Sequence, residues 1–356
     1  MSTITLTRSQ LASQRRSDEL EAAITRDPGA FRMLSGDRPT GALHVGHYFG
    51  SLANRVRLQE AGVELLVVIA DYQAITDRAA SADLPRFVIG LVADYLAIGV
   101  DPARATIFAH SQVEPLNQLL LPFLSLVSVA EIGRNPTVKD EVAAAGSSAV
   151  TGLMFTYPVH QAADVLFCHA NLVPVGRDQL PHLELTRTIA RRFNDRYCSG
   201  SPYFPTPEGL LSAAPLLLGT DGQKMSKSRN NSVPIRATPD ETVRLLTTAK
   251  TDSERLITYE PERRPEVANL LLMIALCRAT TPEAVAAEIG AGGARALKVA
   301  AADAINDRLA AVRVRRAELA AEPGYLRDVL AAGNEKATAI ASATLQHVRE
   351  LMHQSY

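Results

Sequence analysis

The chain has 356 residues, 47% of them hydrophobic and 21% charged, with a formal net charge of −1. That is enough for two domains and a sizeable core, and it excludes a uniformly basic surface, so any nucleic acid must be met by a local basic face. Three widely separated cysteines, Cys168, Cys198 and Cys277, argue against a disulfide framework or a four-cysteine zinc site. The expected compartment is reducing cytosol. No run of about 18 apolar residues occurs, and residues 1–28 hold no apolar core of signal-peptide length, so no membrane partner is expected.

Leu6 to Thr25 have helix-compatible composition, with Leu6, Leu11, Leu20 and Ile24 as the only large apolar marks, which predicts a loosely docked extension dispensable for chemistry. Strand and helix patterns then alternate. Strands are predicted at Ala30 to Leu34, Leu65 to Ala70, Ala105 to Ala109 and Leu172 to Val175. Helices are predicted from His44 to Ala61 and from Asp83 to Ile98, the latter ended by Gly99. Such alternation predicts a parallel sheet, and the wholly apolar Leu65 to Ile69 suits a central strand covered on both faces.

In an open parallel sheet, ligands bind beyond the carboxyl ends of the strands. Those ends are polar here: Ser35 and Gly36; Asp71, Tyr72 and Gln73; His110, Ser111 and Gln112; Gly176, Arg177, Asp178 and Gln179. Between them, Asp140 to Thr151 is rich in alanine, glycine and serine and is expected to be a mobile connection, next to the cationic Arg134 to Lys139. Tyr157 to Leu166 is predicted to be a helix with Pro158 in its first turn. It puts Tyr157, Gln161 and Asp164 on one face. Asp164 has no cation nearby in sequence, and a buried carboxylate needs a partner, which favours a donor on a ligand.

Two stretches carry the chemistry. Ser35 to Leu52 reads as a strand, a loop containing Gly41, and the start of a helix bearing His44 and His47 on one face, with Gly46 between them leaving room for a flat ring. Helix N-termini attract phosphate. Far downstream, Gly219 to Asn230 places Lys224 and Lys227 around Met225, an apolar residue that a purely solvated loop does not need. From Asp240 onward helical patterns predominate, and Arg308, Arg313, Arg315 and Arg316 form a basic stripe that reads either as a solvated face or as an RNA backbone contact.

His44-Val-Gly-His47 followed by Lys224-Met-Ser-Lys-Ser228 resembles the paired signatures of the class I aminoacyl-tRNA synthetases. Gly133 to Asp140, Thr156-Tyr-Pro158, Leu172 to Gln179, His182 to Arg187 and Thr251 to Glu254 resemble tryptophanyl-tRNA synthetases, closest to their divergent second bacterial form. Tyrosyl-tRNA synthetases share the fold and the spacing of Tyr157, Gln161 and Asp164, so tyrosine stands as the alternative substrate.

The resemblance implies an α/β fold: a Rossmann-type doubly wound parallel sheet catalytic domain at 29–233, an N-terminal extension at 1–28, and an all-helical tRNA anticodon-binding domain at 234–356. It implies ATP with Mg²⁺, L-tryptophan and tRNA(Trp) as partners, and a homodimer. Lys224 and Lys227 would sit on the leaving phosphates, His44 and His47 on the triphosphate and adenosine side, and Lys139 would add a cation. Arg38, Gly46, Gly176, Asp178, Gln179, Met225 and Ser226 complete the expected ATP site; Asp164, Tyr157, Gln161, Gln73 and Gln179 form the expected amino-acid site. No resident metal ligand is expected. A nucleotidylyltransferase and a repurposed, partner-binding paralogue are the rival classes.

Overall fold

The computed structural model describes residues 8–75, 83–136, 138–139, 150–176, 179–211 and 216–356, with the side chains of 8–13 and 228 excepted. The expected mobile connection and Asp178 therefore lie outside the described residues, apart from 150–151.

Five parallel strands, β1 (Arg32–Asp37), β2 (Glu64–Ile69), β3 (Ala105–Ala109), β4 (Leu172–Val175) and β5 (Glu208–Leu211), form one sheet in the order β3-β2-β1-β4-β5. In β2, Leu65, Val67 and Ile69 enter the core on one face while Leu66 and Val68 enter the core on the other, so the unbroken apolar run serves two helical layers. The strand order reverses between β1 and β4. These two strands pair only at Met33 and Leu172, near their amino ends, and the crevice opens beyond that pair.

β1 starts later and runs further than the sequence predicts. Ser35 and Gly36 are inside it, paired with Val67 and Val68, and not in the loop after it. A Cβ on Gly36 would lie 2.3 Å from a Val68 methyl, so glycine is what lets the strands stay in register there. The helix of Tyr157 also begins earlier, at Gly152–Leu166, because the Thr151 hydroxyl accepts the Met154 amide and caps it; Pro158 is interior and not in the first turn.

Both sheet edges are covered. The N-terminal helix Arg8–Arg26 packs on β5, with Ser17 and Ile24 buried, the Leu211 amide donated to the Ser17 hydroxyl at 2.8 Å, and Arg16 paired with Glu208, so it is docked and not loose. At the other edge the C-terminal helix Pro323–Leu351 meets β3. Its Asn334 accepts the Ala109 amide at 3.0 Å, and a Cβ on Gly333 would stand 1.8 Å from the Ile107 carbonyl oxygen. One amide on each edge strand, Leu211 and Ala109, is satisfied by a side chain of the covering helix, which hinders pairing with another chain.

The basic stripe divides. On the helix Gly293–Ala320, Arg316 pairs with the buried Asp94, Arg313 donates to Thr242 and Asn306, and Arg308 lies over the Tyr48 ring at 5.7 Å. Arg313 and Arg316 tie helices together and are not a solvated or RNA-facing row; Arg315 stays exposed. Among the described residues no single helix is long and apolar enough to cross a membrane.

Candidate active site

After β1 the chain turns through Gly41, whose φ of 131° lies in the left-handed region, and enters the short helix Val45–His47 from an extended His44. The His44 amide donates to His47 Nδ1 at 3.2 Å, which fixes the His47 proton on Nε2; the two ring centroids are 3.7 Å apart. Below them the Asp37 carboxylate accepts from Arg55 Nη1 at 2.7 Å and from the Tyr95 hydroxyl at 2.8 Å. Burial alone would raise Asp37, but Arg55, with His47 and Tyr95, holds it at about 2.

Burial pushes His44 down to about 3, helped by His47 and Lys227. Burial likewise pushes His47 down to about 4, against the opposing pull of Asp37. Both rings are neutral at physiological pH, and they offer a ligand hydrogen bonds in place of charge.

The lysine loop folds back onto this turn. Val45 N–H donates to the Val233 carbonyl at 2.9 Å and Ile235 N–H to the Leu43 carbonyl at 3.0 Å, and these bonds pin the end of the loop to the histidine segment. Lys227 Nζ donates to the Gly41 carbonyl at 3.0 Å. Burial lowers Lys227, while Asp37 and Asp94 oppose the shift. Met225 is buried, and a Cβ on Gly46 would stand 3.4 Å from its sulfur and 3.0 Å from the His44 ring. The small residue therefore makes room for the protein's own His44 and Met225, where the sequence suggested room for a ligand ring.

Asn231 buckles the loop. It is 2% exposed, accepts the Ser226 amide at 2.8 Å, and donates to the Lys224 carbonyl at 3.1 Å and to Asp221 at 2.7 Å. A Cβ on Gly219 would collide with it at 2.3 Å, so Gly219 is packed tight and is no open hinge. Lys224 is exposed at the loop's outer side, and Arg38 is exposed at the end of β1, where its charge reaches Lys227.

The second cluster gathers at the ends of β2 and β3. Asp164 is buried, with Oδ1 2.7 Å from Nε2 of the fully buried His110, at ion-pair distance but without the alignment of a hydrogen bond. Burial would lower His110, but the Asp164 charge outweighs it and raises the imidazole. A partner that the local sequence could not reveal is thus within the chain, where the sequence favoured a donor on a ligand. The His110 and His160 centroids are 4.6 Å apart, with the Tyr72 ring 6.5 Å from each. Tyr157 shares its hydroxyl with His182 Nε2 at 3.2 Å, and His182 Nδ1 meets Asn135 Nδ2 at 3.2 Å.

The structure therefore brings His44, Gly46, His47, Met225 and Lys227 together, and Tyr157 and Asp164 into a second cluster. Gln161 is half-buried on the Asp164 helix, and Gln73 follows Tyr72 on the short turn Asp71–Ala74. Lys139 is exposed, its amide bonded to the Asn135 carbonyl. Gly176 is exposed just past β4, Gln179 directly precedes the helix Leu180–Tyr197, and the Ser226 backbone is held by Asn231. Sequence reasoning missed His160, His182 and Asn231 as site residues. The chain order Asp-x-x-x-x-x-x-x-x-x-Asn over Asp221 to Asn231 carried no recognisable signal, whereas His160 was visible one residue before Gln161.

A family model described as "tRNA synthetases class I (W and Y)" matches residues 26–310. The chain is 40% identical over 337 residues to a tryptophan–tRNA ligase of Lactococcus lactis, covering 91% of this chain and 98% of that one. It is 42% identical over 329 residues to a tryptophan–tRNA ligase of Treponema pallidum, covering 90% and 96%. A crystal structure of tryptophanyl-tRNA synthetase from Campylobacter jejuni, complexed with ADP and tryptophan, superposes with a TM-score of 0.76 at 28% identity over 90% of this chain and 99% of that one. With Lys227 folded against the turn that carries the signature histidines and a family match over most of its length, the chain belongs to the class I tRNA synthetases of the tryptophan and tyrosine group.

Proposed function

We propose that this chain activates L-tryptophan with ATP, releasing pyrophosphate, and passes the tryptophanyl group to the 3′-terminal adenosine of tRNA(Trp). The observation that carries the proposal is Lys227 seated on the Gly41 carbonyl beside the His44 and His47 pair, two remote signatures converging on one turn. The likeness to tryptophan–tRNA ligases over nine-tenths of the chain supports tryptophan as the substrate.

The attacking atom is the substrate's own carboxylate oxygen, so no protein nucleophile is required. Lys227 and Lys224 neutralise the leaving phosphates as the α-phosphorus is attacked, and Lys139 and Arg38 add positive charge at the rim. Neutral His44 and His47 hold ATP by hydrogen bonds. Met225, anchored against Gly46, sets how closely the loop approaches, and Ser226, Gly176 and Gln179 line the nucleotide side. Asp164 accepts the indole N–H. Tyr157 and Gln179 take the ammonium group, and Gln73 and Gln161 border the ring. Phenylalanine would leave the buried carboxylate without that donor.

Mg²⁺ accompanies ATP and screens charge on its phosphates. Asp37, whose charge acts on Lys227, is committed to Arg55 and Tyr95 and would not be free to hold the ion. The helices from 234 onward take the tRNA, two copies form the working dimer, and three free cysteines suit a reducing cytosol. Charging of bulk tRNA with labelled tryptophan, and not with labelled tyrosine, is the expected result; charging with tyrosine alone overturns the assignment.

A further inference from the structure

We propose that His110, His160 and Asp164 form a reversible site for a divalent transition cation of the zinc type, overlapping the carboxylate that receives the substrate ring. The three residues are all buried, at 0%, 4% and 3% exposure, and one ligand atom from each lies within 4.8 Å of the others. Tetrahedral zinc holds its ligand atoms roughly 3.3–3.5 Å apart, inside the 4.8 Å that bounds this group.

The polar atoms are poised for such a ligand. His110 Nδ1, His110 Nε2, His160 Nδ1 and Asp164 Oδ1 are buried without a hydrogen-bond partner, with His110 Nε2 and Asp164 Oδ1 facing each other at 2.7 Å. His160 is held in the ligating tautomer. Asn117 donates its Nδ2 to the His110 and Val113 carbonyls, at 2.7 and 3.0 Å, so its Oδ1 can only accept, and His160 Nε2 at 2.8 Å must donate to it. That leaves Nδ1 as a bare lone pair, the outer-shell arrangement that orients metal-binding histidines. Asp71, also buried, accepts the Ser111 amide one residue from His110 and sets a second negative charge nearby. Two imidazoles and a carboxylate with one position open are the donor set of an exchangeable zinc site, not of a closed structural one.

A cation on Asp164 neutralises the acceptor for the indole N–H. On the tryptophan reading above, it raises the KM for tryptophan while kcat at saturating tryptophan stays constant. The cation site itself does not depend on that reading.

The test titrates the full chain with Co²⁺ and follows the visible bands of tetrahedral cobalt, with Zn²⁺ displacing it, in the unaltered protein, in His160→Gln and in Asn117→Ala. One equivalent bound without a thiolate charge-transfer band is expected. Loss of at least tenfold in affinity is expected in His160→Gln, and a loss of about 10–100-fold in Asn117→Ala, with thermal melting of both variants near that of the unaltered chain. Equal cobalt affinity in the unaltered chain and a folded His160→Gln, or no stoichiometric binding, overturns the site. Stoichiometric binding in a chain that activates tyrosine supports the site and overturns the tryptophan assignment. Binding that leaves the tryptophan KM unmoved by Zn²⁺ overturns the overlap with the ring acceptor.

Discussion

Asn231→Ala tests whether the lysine loop is held in place by one buried amide. The side chain is 2% exposed and satisfies the Ser226 amide and the Lys224 carbonyl, one on each side of Met225. Each such bond contributes about 1 kcal/mol net, and alanine replaces neither, so the closed loop loses about 2 kcal/mol relative to open forms. The bond to Asp221 adds little, because Asp221 is exposed to solvent. At about 1.4 kcal/mol per tenfold, kcat/KM for ATP in pyrophosphate exchange falls about 30-fold. Tryptophan affinity should hold, because Asn231 lies in the lysine loop and not in the Asp164 cluster. It can be read from the fluorescence of the ligand itself, since the chain contains no tryptophan. A fall of less than about threefold for ATP, or an equal loss in tryptophan affinity, refutes the role of Asn231 as the loop's anchor.

Lys227→Ala should lower the pyrophosphate-exchange rate by about 10²–10³ while tryptophan affinity changes little; an unchanged rate removes Lys227 from the chemistry. Asp164→Ala should weaken tryptophan by about 10–150-fold, the worth of a charge-assisted hydrogen bond, with the KM for ATP steady; an equal loss for ATP contradicts a role confined to the ring. Acid should destabilise the protein from near neutrality. His44 and His47 are depressed to about 3 and about 4, so between the ordinary histidine value near 6.5 and about 4 the unfolded chain binds protons that the folded chain does not. Stability is fully present above pH 6.5 and falls as pH drops, at up to about 2.7 kcal/mol per pH unit for two protons. His160 and His169, also lowered by burial, add to the fall, and His110, raised by Asp164, opposes it. Urea denaturation that gives the same stability at pH 7.5 and 5 would contradict these neutral histidines.

Much of the scaffold was legible because its signals are local. Strand β3 falls where the apolar run Ala105 to Ala109 placed it, and Gly99, with φ of 113°, ends the helix Leu84–Ile98 as its position promised. The two signatures could be read because loops that wrap a nucleotide need small residues and fixed donors at close spacing. Pairing across the sheet was not legible. Gly36 looks like a loop residue until Val68 is seen against it, and Asp164 looks partnerless until β3 delivers His110 from far along the chain. The arginine stripe misled for the same reason: a row of charges on one helix does not reveal that Asp94 and Thr242 wait on the facing helices. Boundaries shifted where a side chain took over a backbone duty, as when Thr151 capped a helix ahead of Pro158.

ATP–pyrophosphate exchange measured with each of the twenty amino acids tests the central claim most directly: that the converged histidines and Lys227 activate the amino acid whose ring nitrogen Asp164 receives. Exchange that depends on tryptophan and is negligible with tyrosine and phenylalanine is the predicted result. Exchange driven by tyrosine, or by no amino acid at all, would contradict it.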